Sequence, residues 1–174
     1  MLVRGLSGAV GEQFVIRKDK TGRTIVGNMP EFDENRQFTE AQVAHQEAFR
    51  EAAAYGKGAK GQDIYASKAE GTPLTPYNVA VADWFHEPEI KELDLSGWNG
   101  QVGQIIRIEA VDDVQVKQVT VVITDETGTV LEQGAAVQTD NLWWTYTTTK
   151  AASGTPKLMV SAQDLPEHIA QMTK

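Results

Sequence analysis

Residues 104–149 read QIIRIEAVDDVQVKQVTVVITDETGTVLEQGAAVQTDNLWWTYTTT, and this stretch decides the fold. It is dense in Val, Ile and Thr, alternates apolar with polar residues, and is cut at short intervals by Asp112-Asp113, Glu126-Thr127-Gly128 and Thr139-Asp140-Asn141. That pattern describes antiparallel strands joined by short turns. A period of two assigns faces: Ile106, Ile108 and Ala110 lie on one side of a strand, Arg107, Glu109 and Val111 on the other. Val119, Val121 and Ile123 repeat the pattern one strand later. The turn Asp125-Glu126-Thr127-Gly128 offers a glycine where a tight hairpin requires positive φ, and Val130-Leu131 begins the return strand. Residues 142–148 form another strand, with Trp144 and Tyr146 sharing a face opposite Trp143 and Thr145, so one of the adjacent tryptophans enters the core. Residues 157–162 close the set, and the tail from Leu165 reads as a short helix or a frayed end.

Upstream of this stretch, Pro88 ends a helical section and residues 89–95 form the first strand of the sandwich. Thr75-Pro76 is an N-cap followed by proline at the first helical position, predicting a helix over 76–85 with Val79, Ala82 and Phe85 inward. Residues 63–70 predict a shorter helix. The strongest helix signal is Thr39 with Gln42 three residues on, a capping box, flanked by Phe38 and Val43 as a hydrophobic staple. That helix is expected over 40–55, with Ala41, Ala44, Ala48, Ala52 and Tyr55 as a narrow stripe, ending at Gly56-Lys57-Gly58. Residues 29–37 are a connector. Before it, Phe14-Val15-Ile16-Arg17 and Thr24-Ile25-Val26 flank Asp19-Lys20-Thr21-Gly22 as a second hairpin. The expected class is α+β: an N-terminal β-hairpin plus helices packed on a C-terminal antiparallel β-sandwich, divided into 1–87 and 88–174 near Glu87.

A chain of 174 residues can bury a sizeable core. Its net charge of −8 offers no basic excess to neutralise phosphates, so no nucleic-acid partner is expected. Arg4, Arg17, Lys18, Lys20 and Arg23 cluster near the start and read as the wet face of a hairpin. With no cysteine, disulfides and thiolate metal sites are excluded. The first residues lack the apolar core of a secretory signal and no apolar run reaches membrane-spanning length. The expected location is therefore the cytoplasm, or outside by a signal-independent route.

No constellation of reactive residues stands out. His45, His86 and His168 lie far apart with no metal-ligand spacing. Gly5, Gly8 and Gly11 resemble a phosphate loop only in spacing, since no Gly-Lys-Ser/Thr follows and the segment precedes a strand. Ser7 and Ser153 have no Gly-x-Ser-x-Gly setting. Asp112 and Asp113, with Asp125 or Asp140, are candidates for a loop calcium site, although the alternating carboxylate pattern of a calcium loop is absent. No cofactor is expected.

The run Ile106-x-Ile108-x-Ala110-x-Asp112-Asp113, then Val116-x-x-Val119-x-Val121-x-Ile123, Gly128 and Trp144-x-Tyr146, resembles bacterial immunoglobulin-like and fibronectin-type modules. The resemblance covers residues 88–163 and implies a fold; without the cysteine pair of antibody domains it implies no antigen recognition. The opening, Gly5-x-Ser7-Gly8-x-x-Gly11 with Arg17, Pro30 and Ala41-Gln42 ahead of Phe49, is similar to short bacterial proteins of unknown activity. The expected function is a non-catalytic structural or assembly protein, a homo-oligomer of the filament, phage-like particle or surface-layer kind. Its candidate contacts are Phe14 and Ile16 on the hairpin and Trp98 and Trp143 on the sandwich. The alternative is a ligand-binding module, for a glycan, that uses Trp98 or Trp143; an enzyme ranks last.

Overall fold

The structure, a computed structural model, describes residues 7–11, 13–19, 21–31 and 35–174. Arg4, Gly5 and Lys20 lie outside the described residues, as do positions 32–34 of the connector. The described residues form two compact units, divided between Ala48 and Phe49.

In the first unit, β1 (Gly8–Val10), β2 (Phe14–Lys18) and β3 (Thr24–Asn28) form an antiparallel meander in that order. The expected hairpin is present and carries one strand more. Its turn is built by Asp19, whose side chain accepts from the backbone N–H groups of Thr21 (3.0 Å) and Arg23 (2.8 Å), while Gly22 takes φ 82°. The sandwich hairpin repeats this device: Asp125 accepts from the N–H groups of Thr127 (2.8 Å) and Thr129 (2.9 Å), and Gly128 takes φ 88°. Helix α1 spans Glu40–Ala59 and starts as expected, with Thr39 N–H donating to Gln42 Oε1 (3.1 Å) and Gln42 N–H to Thr39 Oγ1 (3.3 Å). Of the expected alanine stripe only Ala52 is buried, and Phe38 and Val43 stay exposed.

The helix does not end at Gly56. That glycine is buried, and a Cβ there would lie 2.7 Å from Val81 Cγ2 and 3.1 Å from Tyr77 Cε2. It permits close approach of the end of α1 to α3 (Pro76–Phe85), and tertiary packing overrides its poor helix propensity. Helix α2 (Asp63–Ala69) lies between them in sequence, and Thr75 caps α3 by accepting from Asn78 N–H at 3.2 Å. Val79 and Ala80 are buried in α3, but Ala82 is exposed and Asp83 takes the inward place expected for it. Ala59, Tyr65, Ala69, Val79 and Ala80 form a small core with Val114 and Leu165, which come from two turns of the sandwich. Within the second unit, the end of α1 together with α2 and α3 therefore packs on one end of the sheets.

The sandwich itself has eight strands in two antiparallel sheets. One sheet orders β4 (Glu89–Asp94), β5 (Ile105–Val111), β9 (Trp143–Thr147) and β8 (Val137–Gln138); the other orders β11 (Ile169–Thr173), β10 (Lys157–Asp164), β6 (Val116–Thr124) and β7 (Val130–Ala135). The period-two faces hold: Ile106, Ile108 and Ala110 of one sheet meet Val119, Val121 and Ile123 of the other, all at most 2% exposed. Register places like beside like, Ile106 opposite Tyr146, Ile108 opposite Trp144, Ile123 opposite Leu158 and Val121 opposite Val160. Trp144 and Tyr146 enter the core and Trp143 does not. The fold is thus α+β with a β-sandwich.

Two details depart from simple alternation. A register shift between Ile90 and Glu92 lets Ile90 and Leu93 both face inward, three residues apart. The tail forms β11, a full edge strand on β10, where a helix or frayed end was expected. Its alternation is shallow because an edge strand packs on one side only.

Candidate functional site

The first unit presents the most conspicuous surface. Cross-strand pairing puts Val10 opposite Phe14 and Ile16 opposite Val26, so these four side chains share one face of the three-stranded sheet. No residue of the three strands is buried: Val10 is 48% exposed, Phe14 42% and Val26 60%, with Ile16 half-buried. A small sheet whose apolar face stays in water has little to stabilise it, since three strands need a covered face. Phe14 and Ile16, the expected contact residues of the hairpin, thus lie side by side on one surface.

Within the second unit the polar groups are concentrated at three places. On β7 a register shift at its start turns Glu132 inward, opposite Ile123, and the side chain is 4% exposed. It accepts from Tyr146 Oη (2.6 Å), Thr149 N–H (2.6 Å) and Oγ1 (2.9 Å), and Lys150 N–H (3.0 Å). Burial pushes its carboxyl up, but these hydrogen bonds to the ionised form outweigh it and hold the group below its ordinary value. Gly134 makes this arrangement fit, because a Cβ there would stand 2.8 Å from Tyr146 Cε2. Glu132 consequently ties an edge strand of one sheet to β9 and its following loop in the other.

The second place is the helix end. Tyr55 and Tyr65 share a hydroxyl contact of 2.5 Å, and Tyr65 Oη donates to Asp83 Oδ2 at 2.6 Å. Asp83 is 1% and Asp164 0% exposed. Burial pushes the Asp83 carboxyl up to about 6 against the stabilising Tyr65 hydroxyl, and the nearby Asp112 and Asp164 add to the rise. Asp164 is likewise raised by burial, opposed by the His168 N–H that donates to it at 2.6 Å.

The third is an open cleft of about 460 Å³ lined by Ile64, Lys68, Asp112, Gln115, Gln138 and Leu142, among others. Asp112 is committed to its own turn, with Oδ2 accepting from Val114 N–H (2.9 Å) and Gln115 N–H (2.8 Å). Asp113 is exposed, pairs with His86, and offers its carbonyl to Lys68 Nζ at 3.0 Å. The candidate calcium donors therefore do not converge, and among the described residues no group of three or more His, Asp or Glu is arranged to hold a metal ion. Nor is any helix there long and apolar enough to cross a membrane.

The two tryptophans named from sequence are not presented as open platforms. Trp98 packs against the sandwich core with its indole nitrogen buried, and Trp143 is half-buried with the Arg107 guanidinium 4.5 Å from its ring centre. Sequence reasoning missed Asp83 and Glu132. For Asp83 a signal existed: it stands four residues after Val79, on the face that the helix was expected to bury.

No protein-family model matches the chain, and no curated protein matches it in sequence. Among solved structures it is similar to CopC from Methylosinus trichosporium OB3b, 17% identical over 50% of this chain and 88% of that one, with a TM-score of 0.39. It is also similar to an engineered protein, 17% identical over 57% of this chain and 26% of that chain, again with a TM-score of 0.39. Likeness at that level carries no argument about activity or partners, and the β-sandwich stands on the strand order of this chain.

Proposed function

We propose that this chain is a non-catalytic assembly protein, whose N-terminal sheet docks on the second unit of another copy. The observation that carries the reading is the uncovered face of Val10, Phe14, Ile16 and Val26. Charge selects the partner. Residues 1–28 hold five basic side chains and two acidic ones, whereas the second unit, residues 49–174, holds ten and seventeen. A basic, apolar sheet meeting an acidic body favours a head-to-tail contact, and such contacts repeat into filaments unless the rotation closes a ring. The buried carboxylates Glu132 and Asp164 are meanwhile occupied by hydrogen bonds within their own chain.

We further infer that the sandwich is of the immunoglobulin type. Its support is the order of neighbours: β4-β5-β9-β8 and β11-β10-β6-β7 match, strand for strand, the A-B-E-D and G-F-C-C′ sheets of that architecture.

Light scattering on size-fractionated protein tests the assembly reading. Association that grows with concentration and weakens as salt is raised is expected, with Phe14→Ser plus Val26→Ser weakening it by about tenfold to a hundredfold. A strict monomer at high concentration and low salt overturns it.

A further inference from the structure

Two buried carboxylate oxygens in the second unit have no hydrogen-bond partner: Asp83 Oδ1, on the last turn of α3, and Asp112 Oδ1, in the turn between β5 and β6. The turn that carries Asp112 packs on that helix: Val114 shares a core with Val79 and Ala80, and Asp113 pairs with His86 at the helix end. Two ionised carboxylates cannot satisfy one another, because neither has a donor and both are negative. Every other polar atom of the pair is engaged, Asp83 Oδ2 by Tyr65 Oη and Asp112 Oδ2 by the Val114 and Gln115 N–H groups.

We propose that Asp83 keeps a proton on its unpartnered oxygen and donates it to that of Asp112, and that its loss as pH rises toward neutral weakens the hold of α3 on the sandwich. The basic groups of the surroundings are engaged by other acceptors. From α1 and α2 come the hydroxyls of Tyr55 and Tyr65, and from the end of β10 comes a third carboxylate, Asp164. The turn after β10 brings His168, already bonded to Asp164 through its N–H and, at 3.1 Å, through Nδ1; Glu167 there pairs with Lys117 at 3.2 Å. His86 and Lys68 are taken by Asp113. Protonation of one acid converts the pair from repulsion to a charge-assisted O–H···O bond joining a helix to a sandwich turn.

The sign follows from burial. A carboxyl raised from 3.8 to about 6 keeps its proton in the folded protein at pH values where the unfolded chain has lost it. Stability therefore falls as pH climbs through that window and levels off above it. The experiment compares thermal unfolding and amide exchange in α3, corrected for intrinsic exchange, between pH 4.5 and 7 in the wild type, Asp83→Asn and Asp112→Asn. Asparagine supplies a permanent donor, so in either variant the fall in midpoint with pH should flatten. In the wild type, opening of α3 should increase by about tenfold to a hundredfold across the range. Carboxyl carbon NMR of the wild type, which needs no variant to fold, should show Asp83 titrating well above its ordinary value. Titration of Asp83 at its ordinary value, or an unchanged midpoint slope in Asp83→Asn, overturns the proposal.

Discussion

Replacing Glu132 by alanine is expected to lower the unfolding free energy by about 3–5 kcal/mol, because the change strands donors that have no other partner. Tyr146 Oη and the N–H groups of Thr149 and Lys150 all converge on this carboxylate, and the Tyr146 side chain is itself buried in the core. Glu132→Gln keeps an acceptor and loses the charge, so it should cost less, about 1–2 kcal/mol. The pH dependence separates the two causes. The folded carboxyl is held below its ordinary value of 4.5, so its contribution is complete above that pH and is lost as pH falls through the folded value. Equilibrium urea unfolding at pH 7 and at pH 3.5 checks this, with the gap between wild type and Glu132→Ala narrowing in acid. A gap that does not change with pH would mean that Glu132 acts by shape alone. This acid-labile contribution runs opposite to that of the Asp83 pair, whose hold strengthens as pH falls.

Leu158→Ala should destabilise the sandwich by about 3–4 kcal/mol, whereas Met159→Ala beside it should cost about 1 kcal/mol or less. Leu158 is 0% exposed, sits opposite Ile123 on β6, and lies between β6 and the edge strand β11. Met159 points to the other face and is half-buried. Tryptophan fluorescence during urea unfolding reads the difference, since Trp144 is in the same core. Equal costs at the two positions would show that the faces of β10 are not what the alternation says.

Much of this architecture was legible because its causes are local. The alternation of residues 105–124 needs no knowledge of the partner sheet, since each side chain's face follows from its own backbone. The two Asp-x-Thr-Gly turns and the caps at Thr39 and Thr75 were equally readable, each closing hydrogen bonds within four residues. The misses have distant causes. Gly56 looked like a helix stop and is a contact with Val81; the tail looked frayed and is pinned by β10. Glu132 belongs to a return strand whose inward face is set by a bulge that appears only when β6 and β7 are paired.

The sequence by itself determined the strand-rich second half, its inward residues, the hairpin turns and the helix starts, because propensity, period and capping act over a few neighbouring residues. Only the tertiary structure decided the two-sheet order and the burial of Glu132. It alone laid Phe14 beside Val10 and Ile16 beside Val26 on one uncovered face. Strand pairing and desolvation depend on which distant segments meet, and nothing within a short window of the chain encodes that meeting.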